Sequence, residues 1–256
     1  MFLGLLPRIT LCSGAIMRWH FVRSVLRQSM AGEGGEWSVL DVGCGRGEFS
    51  LWARRLPGVR KVIGIDEMDG QEAGSFFPVP QHSVPLTFVK GRFDSSVRET
   101  HGPFDRIVCV DVLEHIHEDE GFLASLAECC VEGGRLILHV PATPQWHPVA
   151  AARNELKRQL LPGMGQHVRE GYTGPQLTER LSAAGWRVES MRPTFGRLCA
   201  SVCDIEFALS LKGKPSFPLR ALLVPVAILA GWIEMSSPPP DGNGWLAVAR
   251  RLPMKR

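Results

Sequence analysis

Val39-Leu40-Asp41-Val42-Gly43-Cys44-Gly45-Arg46-Gly47 runs an apolar strand into a glycine-packed turn, and a helix-forming segment follows from Glu48. Glycines lack Cβ atoms, so such a turn can take φ > 0 and lie directly against a ligand, while the helix behind it offers unpaired N–H groups. The spacing then separates two kinds of nucleotide pocket. A dinucleotide fingerprint wants G-x-G-x-x-G, but here the third glycine comes one residue early, at Gly47, and Glu48 stands in its place. A pyrophosphate would meet that carboxylate unfavourably. Asp41 inside the motif suits a cationic ligand end, because a carboxylate can hold an ammonium directly or through water.

Reading outward, Lys61-Val62-Ile63-Gly64-Ile65-Asp66 is a short apolar strand closed by an acid. That acid lies about 20 residues beyond the glycine turn, where Rossmann-like folds place their ribose-hydroxyl acceptor. Further segments are Phe104 to Ile116, which contains Val110-Asp111-Val112-Leu113-Glu114-His115, then Gly133 to Pro141, Gln166-His167-Val168-Arg169, and Leu177 to Trp186. In this order they resemble the class I S-adenosylmethionine-dependent methyltransferases, whose cofactor has a cationic methionine end. The likeness covers about residues 38 to 141 and extends beyond them toward members that share the Glu-His pair, among them the ubiquinone-pathway O-methyltransferases.

The resemblance implies an S-adenosylmethionine pocket. Asp41 and the Gly43-Cys44-Gly45 backbone, closed by Gly47, would hold the methionine end; Asp66, with Glu67 beside it, would bind the ribose; Val110 and Asp111 would line the sulfonium side. One position departs from the pattern. Many relatives place an acid after the glycine that closes the third strand, to meet the adenine amine, but Gly91 is followed by Arg92. Phe93 by stacking, or Asp94 by accepting a hydrogen bond, is expected to substitute.

Glu114-His115, just past the fourth strand, sits where donor methyl and acceptor should meet, and histidine titrates near neutrality, so this pair is the general-base candidate. The competing reading is that the pair only caps the next helix or anchors the sheet edge. The residues are assigned without a metal, although Asp111, Glu114 and His115 would also suit one divalent cation. His167 and Arg169 resemble a recurrent His-x-Arg feature of these relatives. His167 is a further catalytic candidate, and both would contact an anionic or hydroxylated acceptor. His139 and His147 lie in no motif.

Ile16 to Ser29 reads as a helix with Trp19, Val22, Val25 and Leu26 on an apolar stripe and Arg18, Arg23 and Arg27 exposed, packed beside the cofactor entrance. Strands are expected at about 38–42, 61–65, 86–91, 106–110 and 134–140, with helices at about 46–56 and 119–130 between them. This alternation implies an α/β, Rossmann-like, doubly wound and mostly parallel seven-stranded sheet. Residues 71–85, with Pro78, Pro80 and Pro85, read as loop. A helix at Gly174 to Ala184 leads to a strand at Trp186 to Met191, and Gly244 to Arg250 completes an antiparallel edge hairpin with it.

The chain is thus expected to be a single domain over 1–256. It comprises a helical extension at 1–35, a cofactor-binding core at 36–141, a substrate lid at 142–172 and a C-terminal part at 173–256. The last carries an insertion, 195–243, with an apolar run at Leu219 to Ile233. Arg220 near one end and Pro225 inside make that run too short to span a bilayer, which needs about 20 apolar residues. It reads as a helix buried against the core or a dimer partner, or else as a shallow membrane contact or lipid groove.

Hydrophobic content of 45%, charged content of 21% and a net charge of +3 are ordinary globular values, and no basic stripe argues for nucleic acid. Seven cysteines without metal-finger spacing fit reduced thiols in a cytoplasmic compartment, with membrane association through the insertion as the variant. Met1 to Leu6 is apolar, but Pro7 and Arg8 interrupt it, so a secretory leader is not expected; Met17 and Met30 are alternative starts. The functional expectation is methyl transfer to a small or lipid-like acceptor, preferably at oxygen. The alternative is a non-catalytic cofactor-binding or assembly module docked on a membrane or protein partner.

Overall fold

A computed structural model describes residues 12–31, 35–67, 84–149, 167–210 and 217–253. Seven strands form one sheet: β1 (Trp37–Val42), β2 (Val59–Asp66), β3 (Leu86–Lys90), β4 (Phe104–Val110), β5 (Cys130–Pro141), β6 (Trp186–Thr194) and β7 (Gly244–Arg251). Their order is β3-β2-β1-β4-β5-β7-β6. Pairing is parallel from β3 through to β5, and β7 runs antiparallel to both β5 and β6. The order reverses between β1 and β4, and in open α/β sheets the crevice beyond the carboxyl ends of such strands is where ligands bind.

Alternate residues along each strand point to opposite faces, and each face is apolar because helices cover both. Val39, Val62, Val108 and Ile137 pack with α1 (Ser13–Met30), α2 (Glu48–Ala53), α6 (Arg197–Ser210) and α7 (Phe217–Ser236). Leu40, Ile63, Ile107 and Leu136 pack with α4 (Asp119–Cys129), α5 (Gly174–Ala183) and the buried Trp186. A short polar helix, α3 (Ser96–His101), sits before β4 and buries only Val97. Thr173 starts α5 with reciprocal capping: its Oγ1 accepts from the Gln176 N–H, and the Gln176 Oε1 accepts from the Thr173 N–H.

Every strand expected from the sequence is present. The helix expected at 46–56 is shorter, because Gly47 precedes it at φ 74° and the chain turns away after Ala53. Residues 1–11, 71–83 of the expected loop and 150–166 of the expected lid, with Pro162, Gly163 and Gly165, lie outside the described residues.

One expectation needs correction. Of the three arginines read as exposed on α1 only Arg27 is so; Arg23 lies over the Trp19 and Trp52 rings, 5.6 and 5.0 Å from their centroids, and Arg18 turns into the crevice. The apolar run of the insertion does form a helix, and the core of this chain covers one side of it. α7 turns Ala227 and Ala230 inward and leaves Leu222, Leu229 and Trp232 exposed.

Candidate active site

The β1–α2 turn is built as its glycines suggest. Gly43, Gly45 and Gly47 have φ of 70°, 52° and 74°, left-handed values that residues with a Cβ rarely adopt. Gly43 and Cys44 both donate to the Ile65 carbonyl, at 2.9 and 3.1 Å, and Gly47 donates to Cys44 O at 2.8 Å. A Cβ on Gly45 would meet nothing within 4 Å among the described residues, so this peptide faces away from them. Its N–H donates to Asp66 Oδ2 at 2.8 Å, which ties the tip of β2 to the turn. Cys44 is buried, and burial pushes its thiol well above the usual range, so it acts as filler rather than nucleophile.

Asp41, at the end of β1, is buried and accepts from Ser50 Oγ at 2.5 Å. Burial first, and the charge of Asp66 after it, raise its carboxyl to about 7 despite the Ser50 hydrogen bond. A carboxyl held this high beside an open glycine turn is stabilised as the anion by an arriving cation.

On the neighbouring strand, the chain leaving β4 turns sharply at Asp111, whose φ of 52° is one of two positive values outside glycine among the described residues. Asp111 Oδ1 lies 2.6 Å from His139 Nδ1 and Oδ2 lies 2.7 Å from the Arg18 guanidinium, while His139 Nε2 meets Thr194 Oγ1 at 3.0 Å. Burial alone would raise the Asp111 carboxyl, but Arg18 and then His139 outweigh it and hold it down at about 2. Arg18 and His139 were not legible as site residues: they come from elements 93 and 28 residues away from Asp111 and belong to no local motif.

Glu114 and His115 occupy the single 3-10 turn Leu113–His115. Glu114 is almost fully buried, and burial together with the charge of Asp111 raises its carboxyl to about 8. Its Oε2 and His115 Nδ1 are buried with no hydrogen-bond partner among the described residues. Beyond them the 167–172 segment folds back: Val168 N–H donates to Glu114 O at 3.0 Å, and the His167 ring stands edge-on to His115 at 4.7 Å between centroids. Glu114, His115 and His167 each offer one ligand atom, all within 4.8 Å of one another. The cation set suggested by sequence therefore changes, with His167 in place of Asp111, which is engaged elsewhere.

Arg169 is engaged within the fold. It donates to the carbonyls of Leu113 and His117, both at 3.0 Å, and pairs with Asp119 at 3.1 Å, so it clamps the turn that carries Glu114 and His115. The adenine side is less assembled. Glu67 pairs with Arg92 at 2.5 Å on the surface, Asp94 accepts from the Ser96 N–H at 2.8 Å, and Phe93 sets its ring edge-on to Phe122 at 5.6 Å. Val110, half-buried, packs toward the α1 side of the sheet. The two halves of the site touch, since a Cβ on Gly43 would lie 2.2 Å from Val112 Cγ2.

Residues 18–191 match the family model of a methyltransferase domain. A ubiquinone biosynthesis O-methyltransferase of Xanthomonas euvesicatoria pv. vesicatoria (strain 85-10) is 27% identical over 154 residues, which are 60% of this chain and 64% of that protein. The chain thus spans less than two thirds of that relative's length. Among solved structures, an S-adenosylmethionine-dependent methyltransferase from Mesorhizobium loti superposes with a TM-score of 0.56 at 17% identity, covering 92% of this chain and 98% of that one. The [4+2]-cyclase SpnF does so at 0.57 and 16%, covering 91% and 80%. At these identities the structures speak for the fold alone, and the cyclase shows that the fold hosts more than one chemistry.

Proposed function

The chain belongs to the methyltransferase domain family, and from that membership we propose that it transfers a methyl group from S-adenosylmethionine to the oxygen of a small or lipid-like acceptor. One observation carries the reading: the open glycine turn with its buried, high-pKa Asp41 abuts, through Val112, a turn that buries Glu114 Oε2 and His115 Nδ1 with no hydrogen-bond partner among the described residues. The cofactor supplies a methyl group on a sulfonium, already activated for displacement. The chain has then to position two reactants, exclude water and take a proton.

The residues fit that group. Gly45 offers a peptide surface unblocked by any Cβ, Asp41 offers a carboxylate to an ammonium, and Asp66 stands at the tip of β2 where a ribose is held. Glu114 and His115 lie on the far side of Val112 and are the groups available to accept the hydroxyl proton, with His167 against them. Arg18 and His139 act through Asp111, holding the backbone in the left-handed turn that aims the next residues. The Xanthomonas relative, named for ubiquinone biosynthesis, supports oxygen as the acceptor atom and a quinol-like acceptor.

Cofactor affinity should depend on pH through Asp41. Its carboxyl is raised to about 7 in the free protein, and a bound ammonium favours the anion, so affinity rises as pH increases through about 7 and then levels off. Below that pH, binding releases a proton. Calorimetry at pH 6 in two buffers of different ionisation enthalpy reads this directly, and Asp41→Asn removes the proton release. For the fold the sign is opposite: stability linked to Asp41 is fully present below the ordinary carboxylate range and is lost as pH rises to about 7.

Glu114→Gln and His115→Gln should lower kcat by about 10²- to 10⁴-fold while leaving KM near wild type, as measured by transfer of labelled methyl to a panel of phenols and quinols. A second reading, favoured by the orphaned Glu114 Oε2 and His115 Nδ1, places a divalent cation on Glu114, His115 and His167. Dialysis against a chelator separates the two. An unchanged rate supports the base, whereas loss restored by added magnesium or zinc supports the cation.

A further inference from the structure

The insertion between β6 and β7 has its apolar side chains facing the wrong way for a fold element. α7 packs on α1 through small residues: Ala227 and Ala230 are buried, and a Cβ on Gly231 would stand 3.5 Å from Met17 Cγ. Its large residues point outward, with Leu222 71%, Val226 46%, Leu229 56% and Trp232 59% exposed, and α6 adds Ile205 and Leu209 at 47% and 53%. Single exposed apolar residues are ordinary, but this many on two helices that pack together mark a contact surface.

The charges say what the contact is. The two helices contain three acids, Asp204, Glu206 and Glu234, and all three are turned inward and buried. Asp204 accepts from the Val149 N–H, Glu206 from that of Ser13, and Glu234 from those of Gly196 and Cys199. The exposed side of α6 and α7 therefore carries no carboxylate among the described residues. Between Glu206 and Glu234 the sequence has no acid, and Arg220 of α7 pairs with the buried Glu206 at 3.4 Å. Arg197, exposed at the start of α6, lies over the ring of Trp146, itself 44% exposed. Among the described residues no helix is long and apolar enough to cross a membrane. Large aliphatic side chains, exposed tryptophans, the exposed Arg197 and no exposed carboxylate on the described residues of the two helices are the composition of a surface that lies in the headgroup region of an anionic bilayer.

We propose that the outer face of α6 and α7 docks the protein on anionic lipid bilayers. The face adjoins the site: the Trp146 N–H donates to Asn243 Oδ1, and the Val149 N–H donates to Asp204 of α6, both from the segment that leaves β5 at the crevice. Docking would thus bring the crevice to the membrane surface. The inference stands on the insertion and needs no particular acceptor.

The test is co-sedimentation of the full chain with vesicles of phosphatidylcholine alone and of phosphatidylcholine mixed with phosphatidylglycerol, beside the triple variant Leu222→Gln, Leu229→Gln, Trp232→Gln. The three positions are exposed, so the variant keeps its fold, checked by circular dichroism and by unchanged S-adenosylmethionine binding. The expected result is sedimentation of wild type with the phosphatidylglycerol vesicles, weaker with phosphatidylcholine alone, and at least about tenfold weaker in the variant. Wild type that stays in the supernatant overturns the proposal. So does a wild-type dimer in sedimentation velocity that ignores vesicles and dissociates in the variant, since a second copy would then cover the face.

Discussion

Gly43→Ala is expected to abolish measurable S-adenosylmethionine binding, and adding Val112→Ala to the same chain is expected to restore part of it. Gly43 sits at φ 70°, where a side chain costs roughly 1–2 kcal/mol. The larger effect is steric. The new Cβ would fall 2.2 Å from Val112 Cγ2, so Val112 must move, and with it the turn that carries Asp111, Glu114 and His115. A displacement of about 1 Å at a positioning element is enough for roughly a 10²-fold loss. Trimming Val112 removes the clash and leaves only the backbone cost, so the double variant should bind better than Gly43→Ala alone. Equal binding by wild type and Gly43→Ala would show that the ligand does not depend on contact between these two turns.

Asp66→Ala should weaken cofactor binding by about 100-fold or more, because the carboxylate has two tasks. It accepts the Gly45 N–H at 2.8 Å, which sets the tip of the glycine turn against β2, and in the proposed function it is also the acceptor for the ribose hydroxyls. Loss of a hydrogen bond to a charged group costs about 1.5–3 kcal/mol, and here one to the turn and one to the ligand disappear together. Asp66→Asn keeps the shape and one acceptor oxygen, so it should fall between wild type and alanine. A far-ultraviolet spectrum and melting temperature close to wild type would place the loss in the pocket; an alanine variant that binds normally would remove Asp66 from the site.

What the sequence made legible was whatever is written locally. β1, β2, β4 and β5 are runs of buried aliphatic residues, so they announce themselves, and the glycine turn declares its backbone through residues that alone tolerate its φ values. α3 escaped because it is six residues long, five of them polar around one buried valine. α7 was legible as a helix but not in its orientation: an all-round apolar run carries no periodicity that says which side faces in, and here alanine and glycine face the core while leucine and tryptophan face out. The same limit hid half of the site. Glu114, His115 and Asp111 stand in one readable stretch, yet Arg18 comes from α1, His139 from β5 and Thr194 from the end of β6. Only the folded sheet brings them to one carboxylate. Arg169 illustrates the reverse case: it stands in a readable His-x-Arg stretch, but which groups its side chain meets, the Leu113 and His117 carbonyls, is set only by the fold.

The central claim is that the crevice formed by the glycine turn, Asp41 and Asp66 holds S-adenosylmethionine. Calorimetric titration of the purified wild-type chain with S-adenosylmethionine and S-adenosylhomocysteine at pH 8 tests it most directly. The expected result is one saturable site with micromolar dissociation constants for both ligands; a flat titration with both, in a protein that is folded and monodisperse, would rule that crevice out.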